Sequence, residues 1–162
     1  MPIASFIFNE TSPATAGTAA SSNAVTGAAS WLPAGVAGPL DDYEGVDIVA
    51  ELQGATGGTL DVYVQLCPDG QNWYDVIHFA QQAAAGSLNI YQATLSLATT
   101  TTAPIAVGKN LSPALAASTV VNGAWTDRLR LVMKAGASTS AGAPVVVRVT
   151  PQRSRVRESG GS

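Results

Sequence analysis

The sequence is poor in the residues from which catalytic and metal sites are usually built. Its 162 residues include one cysteine and one histidine, and charged residues make up only 12% of the chain. A single cysteine excludes an internal disulfide framework and a multi-cysteine zinc site, and a single histidine excludes the usual clustered-metal and triad chemistries. The length fits one ordinary domain. We therefore predict a protein that is not an enzyme and that holds no cofactor and no metal ion.

Positive charge is absent from the first two thirds of the chain. The first 108 residues carry nine acidic residues and no lysine or arginine, whereas the last 54 carry eight basic and two acidic residues. Such opposite fields favour either pairing within the chain or complementary contacts between copies, and the sequence leaves both open. Two clusters of charge, one acidic and one basic, are candidate partner-binding surfaces: Asp41, Asp42, Glu44, Arg153, Arg155 and Arg157.

Each charged cluster has a simpler interpretation beside the functional one. The arginines form either a solvated tail, a contact for an acidic protein surface or a nucleic-acid contact. Nucleic acid is the least favoured partner because no aromatic residue lies between the arginines to stack on bases. The acidic cluster does not match the spacing of an EF-hand loop, so a solvated loop or a docking patch is favoured over a calcium site.

Long hydrophobic runs are also missing. No stretch reaches the roughly 18 apolar residues of a membrane span. The first ten residues have no positively charged start, and their apolar run is too short for a signal peptide. We expect a protein that is made and kept soluble inside a cell, with no membrane partner. In that reducing environment Cys67 is expected to be an unreactive, small hydrophobic residue.

Residues 1–36 are predicted to form an extended N-terminal arm. Residues 3–9 are apolar enough for one short strand, but 17 of the 20 residues in 11–30 are Ala, Gly, Ser or Thr. Such a segment buries too little apolar area to offset its ordering entropy alone. Trp31 then ends the low-complexity stretch. It is a candidate anchor, packed either on the domain's own core or on a neighbouring subunit.

From residue 43 onward, apolar and polar residues alternate with the period of a β-strand. The alternation predicts strands within 43–52 and 59–67, joined as an antiparallel hairpin with one solvent-facing side. A strand over 73–79 has two partly apolar faces, which indicates a central or covered position. Further strands are expected within 87–98, within 99–124, and as a closing hairpin over 125–134 and 144–150.

These elements predict an all-β fold. Several short strands without any sustained helical periodicity indicate an antiparallel β-sandwich or a jelly-roll-like small barrel over residues 37–152. Residues 153–162 are expected to follow as a basic, flexible C-terminal tail. The low charge and the many small residues suit a subunit whose surface is largely buried by neighbours.

Three residues near the predicted turn at 67–70 are the remaining candidates for chemistry. His78 has no second histidine or cysteine near it in the sequence, so we expect a surface or interface residue rather than a ligand or base. Trp73 and Tyr74 offer a possible sugar-stacking platform. Packing of Trp73 in the core is the favoured interpretation.

Two segments, TLDVYVQLCPDGQNWYDVIHFA over 59–80 and DRLRLVMKAGASTSAGAPVVVRVT over 127–150, carry a resemblance to a known class. They combine a strand that ends in a Pro-Asp-Gly turn, a Trp-Tyr-Asp start to the next strand, and a basic strand followed by a small-residue loop and a valine-rich strand. In these features the chain resembles small β-rich virion proteins of tailed bacteriophages, most closely capsid decoration (cement) proteins.

The resemblance implies a non-enzymatic protein made in the host cytoplasm and located on the capsid surface of the virion. It would bind the outside of the shell formed by the major capsid protein, often as a homotrimer, and strengthen that shell. Two alternatives stay open. One is another virion component, such as a head-tail connector, a tail subunit or a head-fibre subunit. The other is a carbohydrate-binding adhesion module.

Overall fold

The fold consists of β-strands throughout the part of the chain that the computed structural model describes, which is residues 6–13, 19–21, 45–54, 57–83, 86–96, 108–122, 128–136 and 142–152. Within these ranges there is no helix, and so none that could span a membrane. The strands are β1 (Phe6–Thr11), β2 (Ala19–Ser21), β3 (Gly45–Leu52), β4 (Leu60–Leu66), β5 (Tyr74–His78), β6 (Asn89–Ser96), β7 (Thr119–Val120), β8 (Leu129–Ala135) and β9 (Pro144–Gln152).

The strands form two antiparallel sheets. Sheet A has the order β1-β9-β3-β6, and sheet B has the order β2-β8-β4-β5-β7. The predicted all-β antiparallel sandwich is confirmed, and the described strands do not close into a barrel. The inner faces hold the core, in which alternate residues of the long strands are buried. They include Val46, Ile48, Ala50, Leu52, Leu60, Val62, Val64, Leu66, Leu129, Leu131, Met133, Val145, Val147 and Val149.

Both predicted hairpins are wrong, although their strands are correctly located. β3 lies in sheet A and β4 in sheet B, and β9 and β8 are divided between the sheets in the same way. The links over 53–59 and 136–143 are much longer than a two-residue hairpin turn. Each residue of extended chain spans about 3.3 Å, so either link easily crosses the roughly 10 Å between stacked sheets.

The central position predicted for the strand over 73–79 is confirmed. β5 lies between β4 and β7 in sheet B. A register shift between Val64 and Gln65 interrupts its pairing with β4. Because a bulge changes which side chains face inward, neighbouring Val76 and Ile77 both join the core. Residues 108–121, which come after β6 in the sequence, form hydrogen bonds along the other side of β5. There the amide of Asp75 donates to the Gly108 carbonyl at 2.9 Å.

Two strands come from the range predicted as an arm. β1 pairs with β9 at the edge of sheet A, and β2 pairs with β8 at the edge of sheet B. Ser12 follows β1 and is buried; its amide donates to the Ala143 carbonyl at 2.9 Å, and its Oγ accepts from the Ala143 amide at 2.9 Å. The rest of 1–36, including Trp31, lies outside the described residues.

Candidate functional site

The acidic and basic clusters continue from neighbouring strands. The clustered residues themselves lie outside the described part of the chain: Asp41, Asp42, Glu44, Arg153, Arg155 and Arg157. The described residues next to them are Gly45, at the start of β3, and Gln152, at the end of β9, and these two are direct partners in the antiparallel register. The acidic segment therefore enters the sandwich beside the point where the basic tail leaves it.

Asp47 is the first described acidic residue after that cluster, and neutral donors hold it. Thr94 donates its hydroxyl proton to Asp47 Oδ1 at 2.7 Å, and the Gln152 side-chain amide donates to Asp47 Oδ2. The three residues lie on three adjacent strands, β6, β3 and β9. Within the described residues these bonds come from neutral side chains, and no cation pairs with Asp47.

The outer face of sheet A is open within the described residues. Its side chains are small, neutral or aliphatic for the most part, and Ile7 and Ile90 are 47% and 68% exposed. An ion pair on this face joins Arg148 Nη2 and Glu51 Oε1 at 3.4 Å. A broad, sparsely charged sheet surface with exposed aliphatic side chains is typical of a protein-binding face.

The outer face of sheet B differs, because polar side chains are buried there. The prediction that β4 has a solvent-facing side is wrong: Tyr63, Gln65 and Cys67 are all buried. Arg130 Nε donates to Gln65 Oε1 at 2.7 Å, and Gln65 Nε2 donates to Asp75 Oδ1 at 2.5 Å. Gln65 thus links a cation on β8 to a carboxylate on β5. Burial lowers the pKa of the Arg130 guanidinium from its ordinary value.

Asp75 lies at the end of this buried chain of hydrogen bonds. Its Oδ2 atom has no hydrogen-bond partner within the described residues. Gly108 packs against it so closely that a Cβ at that position would collide with both Asp75 Oδ2 and the Pro113 carbonyl oxygen. The carboxylate is therefore sealed by backbone, which leaves no room for a ligand at that atom.

His78 is buried, so the predicted surface or interface position is wrong. Its Nδ1 lies 2.7 Å from the Leu115 carbonyl oxygen, and its Nε2 lies 3.1 Å from Asp61 Oδ1. Both partners are acceptors, and each ring nitrogen lies at hydrogen-bonding distance from one of them. Gln81 Nε2 donates to both Asp61 oxygens at 3.0 Å. With both ring nitrogens occupied, His78 ties the segment over 108–121 to the sheet and offers no nitrogen to a substrate.

Two aromatic residues complete this face. Tyr63 stacks on the His78 ring with centroids 4.0 Å apart. Burial, followed by the charges of Asp61 and Asp75, raises the pKa of Tyr63 to about 12. Trp73 is only partly buried and lies outside the core, contrary to prediction. The Arg130 guanidinium carbon lies 4.3 Å from its ring centroid, so a cation occupies a face on which a sugar would stack.

The turn predicted over 67–70 is held by the Asp69 carboxylate. Asp69 Oδ1 accepts the backbone N–H groups of Asn72 at 2.6 Å and Gln71 at 2.9 Å. These bonds, with a side-chain bond from Asn72, lower the pKa of Asp69 to about 2. Gly70 has a φ of 73°, a left-handed conformation that glycine adopts without strain. This turn is a structural element that presents Trp73 at the rim of sheet B.

Little in the sequence pointed to the buried polar network. Gln65 occupies a polar position in the alternation of β4, which is the usual signal for a solvent-facing side chain. The one useful signal was that both faces of the strand over 73–79 are partly apolar. That pattern indicates a covered face, but it does not reveal that residues 108–121 provide part of the cover.

No protein family matches the chain, and no curated protein or solved structure shows significant similarity to it.

Proposed function

We propose that this chain is a non-enzymatic structural protein of a tailed-phage virion, which decorates the outer surface of the capsid shell and stabilises it. The observation that carries the proposal is the outer face of sheet A, which is broad, sparsely charged and uncovered within the described residues. A face of this kind supports binding to a large protein surface, because desolvating it breaks few charge–water contacts.

The charged segments supply a second argument. Because Gly45 and Gln152 are register partners, the acidic residues 41–44 and the arginines of 153–157 start from adjacent strand ends. Two segments of opposite charge that are joined to adjacent strand ends suit contacts with a charged partner surface, including another copy of the chain. The resemblance of residues 59–80 and 127–150 to decoration proteins supplies the identity of the partner, the major capsid protein.

A binding assay with purified, empty shells tests the docking face. Val146 lies on the outer face of sheet A, where its neighbours across the strands are Asn9 and Glu51. We expect Val146→Lys to abolish co-sedimentation with shells while leaving the thermal unfolding midpoint close to that of the parent chain. The matched control is Ala116→Lys, at an exposed position of the segment over 108–121. Binding that is lost in the control and kept in Val146→Lys would assign docking to the sheet B side.

Copy number separates the proposed role from its alternatives. A decoration protein is present in amounts close to those of the shell subunit, whereas a connector or fibre subunit is far scarcer in the particle. Quantitative mass spectrometry of purified virions measures this ratio. Absence from particles would contradict both virion roles. The carbohydrate-binding alternative has less support, since Arg130 already lies over the Trp73 ring.

Salt dependence tests the charged segments. If the acidic residues 41–44 and the arginines of 153–157 contribute to docking, raising the ionic strength from low to physiological values weakens shell binding, because exposed charges are screened beyond about 8 Å at 0.15 M salt. Replacing Arg153, Arg155 and Arg157 by serine should remove most of that dependence. Binding that does not change with salt would leave the neutral face of sheet A as the sole contact.

A further inference from the structure

Strand β6 forms an edge of sheet A that lacks the usual protection against pairing. It runs for eight residues, pairs with β3 along its whole length without a register shift, and has no described strand on its other side. Natural edge strands are commonly short, charged, bulged or interrupted by proline. The sequence of β6, NIYQATLS, contains no charge and no proline. The other edge strands are shorter: β1, β2 and β7 have six, three and two residues.

The backbone of β6 points hydrogen-bonding groups toward this free edge. The Ser96 amide donates to Asn122 Oδ1 at 3.3 Å, which places that N–H on the side away from β3. Backbone groups alternate along an antiparallel strand, so the amides and carbonyls of Ile90, Gln92 and Thr94 point the same way. Asn122 covers the Ser96 end, and among the described residues no strand or loop backbone bonds to the free edge over 90–94.

The available stretch is uncharged, begins with an exposed aliphatic residue and is held firmly at its start. Ile90 is 68% exposed, and Leu88, just before β6, is 55% exposed. Asn89 donates to Gln82 Oε1 at 2.9 Å, and Gln82 Nε2 donates to the Tyr91 hydroxyl at 3.2 Å. Since Gln82 is itself buried, these bonds fix the start of β6. A partner strand would therefore meet an ordered template and lose less conformational entropy on binding.

We propose that β6 is a self-association surface on which β6 of a second copy pairs in antiparallel fashion about a two-fold axis at Gln92. Gln92 then faces Gln92 of the other copy, and each Ile90 faces a Thr94. No charged residue opposes itself, which is the usual obstacle to pairing a strand with its own copy. The two A sheets join into one continuous eight-stranded sheet.

Charges on the next strand do not oppose this pairing. The acidic residues Asp47 and Glu51 lie on β3, one strand inward from β6. Neighbouring strands are about 4.8 Å apart, so the β3 strands of two paired copies are about 14 Å apart. That separation exceeds the Debye length of about 8 Å at physiological salt, and repulsion between them is largely screened.

This contact deepens the proposed function by naming where copies of the chain meet, and it rests on the part of that proposal in which another copy is a binding partner. Its test uses the purified full-length chain alone in solution, without shells. Shell binding can therefore fail while the self-association holds, and the reverse. A two-fold pairing also differs from the trimer that the resemblance to decoration proteins implies, so the stoichiometry alone is informative.

Sedimentation equilibrium over a range of concentrations measures the association. We expect the parent chain to form a dimer and Ile90→Lys to weaken dimerisation by about tenfold or more, since the substitution removes an apolar contact and brings a charge against the sheet of the second copy. In the monomer the introduced ammonium group lies beside Glu51, so the fold is retained. The matched control is Ile7→Lys, the same change at an exposed site on β1. It should leave the dimer unchanged.

Cysteine cross-linking tests the position of the axis. Facing residues of an antiparallel pair have Cα atoms about 4.5–5.5 Å apart, within disulfide range. Gln92→Cys should therefore give a covalent dimer under mild oxidation, and Ile7→Cys should not. Four results overturn the proposal: a monomer at all concentrations, a trimer, a dimer that is insensitive to Ile90→Lys, or a dimer that Ile7→Lys weakens equally. The last result would indicate that β6 pairs with β1 of the next copy.

Discussion

The same residue type has opposite environments on the two outer faces of the sandwich. On sheet A, Gln92 points into solvent, whereas on sheet B, Gln65 is fully buried between Arg130 and Asp75. Within the described residues, the outer face of sheet A is exposed. On sheet B a hydrogen-bonded polar network is buried, partly under residues 108–121. The difference separates the face that is free to bind from the face that holds the domain together.

Replacing each of these glutamines by leucine is the strongest test of that difference. Gln65→Leu leaves the Arg130 guanidinium and the Asp75 carboxylate without their shared partner in a buried site, at a cost of about 1–3 kcal/mol in the free energy of unfolding. Gln92→Leu changes an exposed side chain and should alter stability by no more than about 0.5 kcal/mol. Urea denaturation of both variants, at concentrations too low for self-association, measures the two effects. Equal losses would contradict the assignment of roles.

The comparison also marks how far the sequence predicts the structure. Period-two alternation located the core residues of β3, β4, β8 and β9, because one buried face imposes that spacing. It could not assign strands to sheets: β3 and β4 alternate in the same way, whichever neighbour they pair with. The buried position of His78 was not predictable either, because its acceptors Asp61 and Leu115 come from distant parts of the sequence.

His78 provides the next largest effect. His78→Phe keeps an aromatic ring beside Tyr63 but removes the bonds to the Leu115 carbonyl and Asp61, and we expect a loss of about 1–2 kcal/mol in stability. The loss should be accompanied by faster hydrogen exchange at the Val121 amide, which donates to the Val76 carbonyl at 2.7 Å. Asp61→Asn, which keeps an acceptor for His78, is the control and should have a smaller effect. An unchanged exchange rate in His78→Phe would mean that His78 does not hold this segment.

Tyr63, on the outer side of sheet B, makes the stability of the fold sensitive to alkaline pH. Burial and nearby carboxylates raise its pKa to about 12, above the ordinary value of 10.0. The folded state thus holds the phenol proton more tightly than the unfolded state does. Stability from this group is complete below pH 10 and is lost as the pH rises from about 10 to 12. Tyr63→Phe should flatten this part of the pH–stability curve, and its tyrosinate absorbance should lack the latest titrating component. An unaltered curve would contradict burial of this phenol.

The smallest effect is expected on the open face. Arg148 and Glu51 form an ion pair whose side chains are 47% and 33% exposed. Water and salt screen such a pair, so a double-mutant cycle with Arg148→Ala and Glu51→Ala should give a coupling of about 0.5 kcal/mol or less. The cycle is run on the parent chain at concentrations too low for self-association. Coupling that becomes stronger at concentrations where the dimer forms, and that persists at high salt, would mean that a second copy shields this part of sheet A from water. Coupling above about 1 kcal/mol in the monomer itself would contradict the openness of the face.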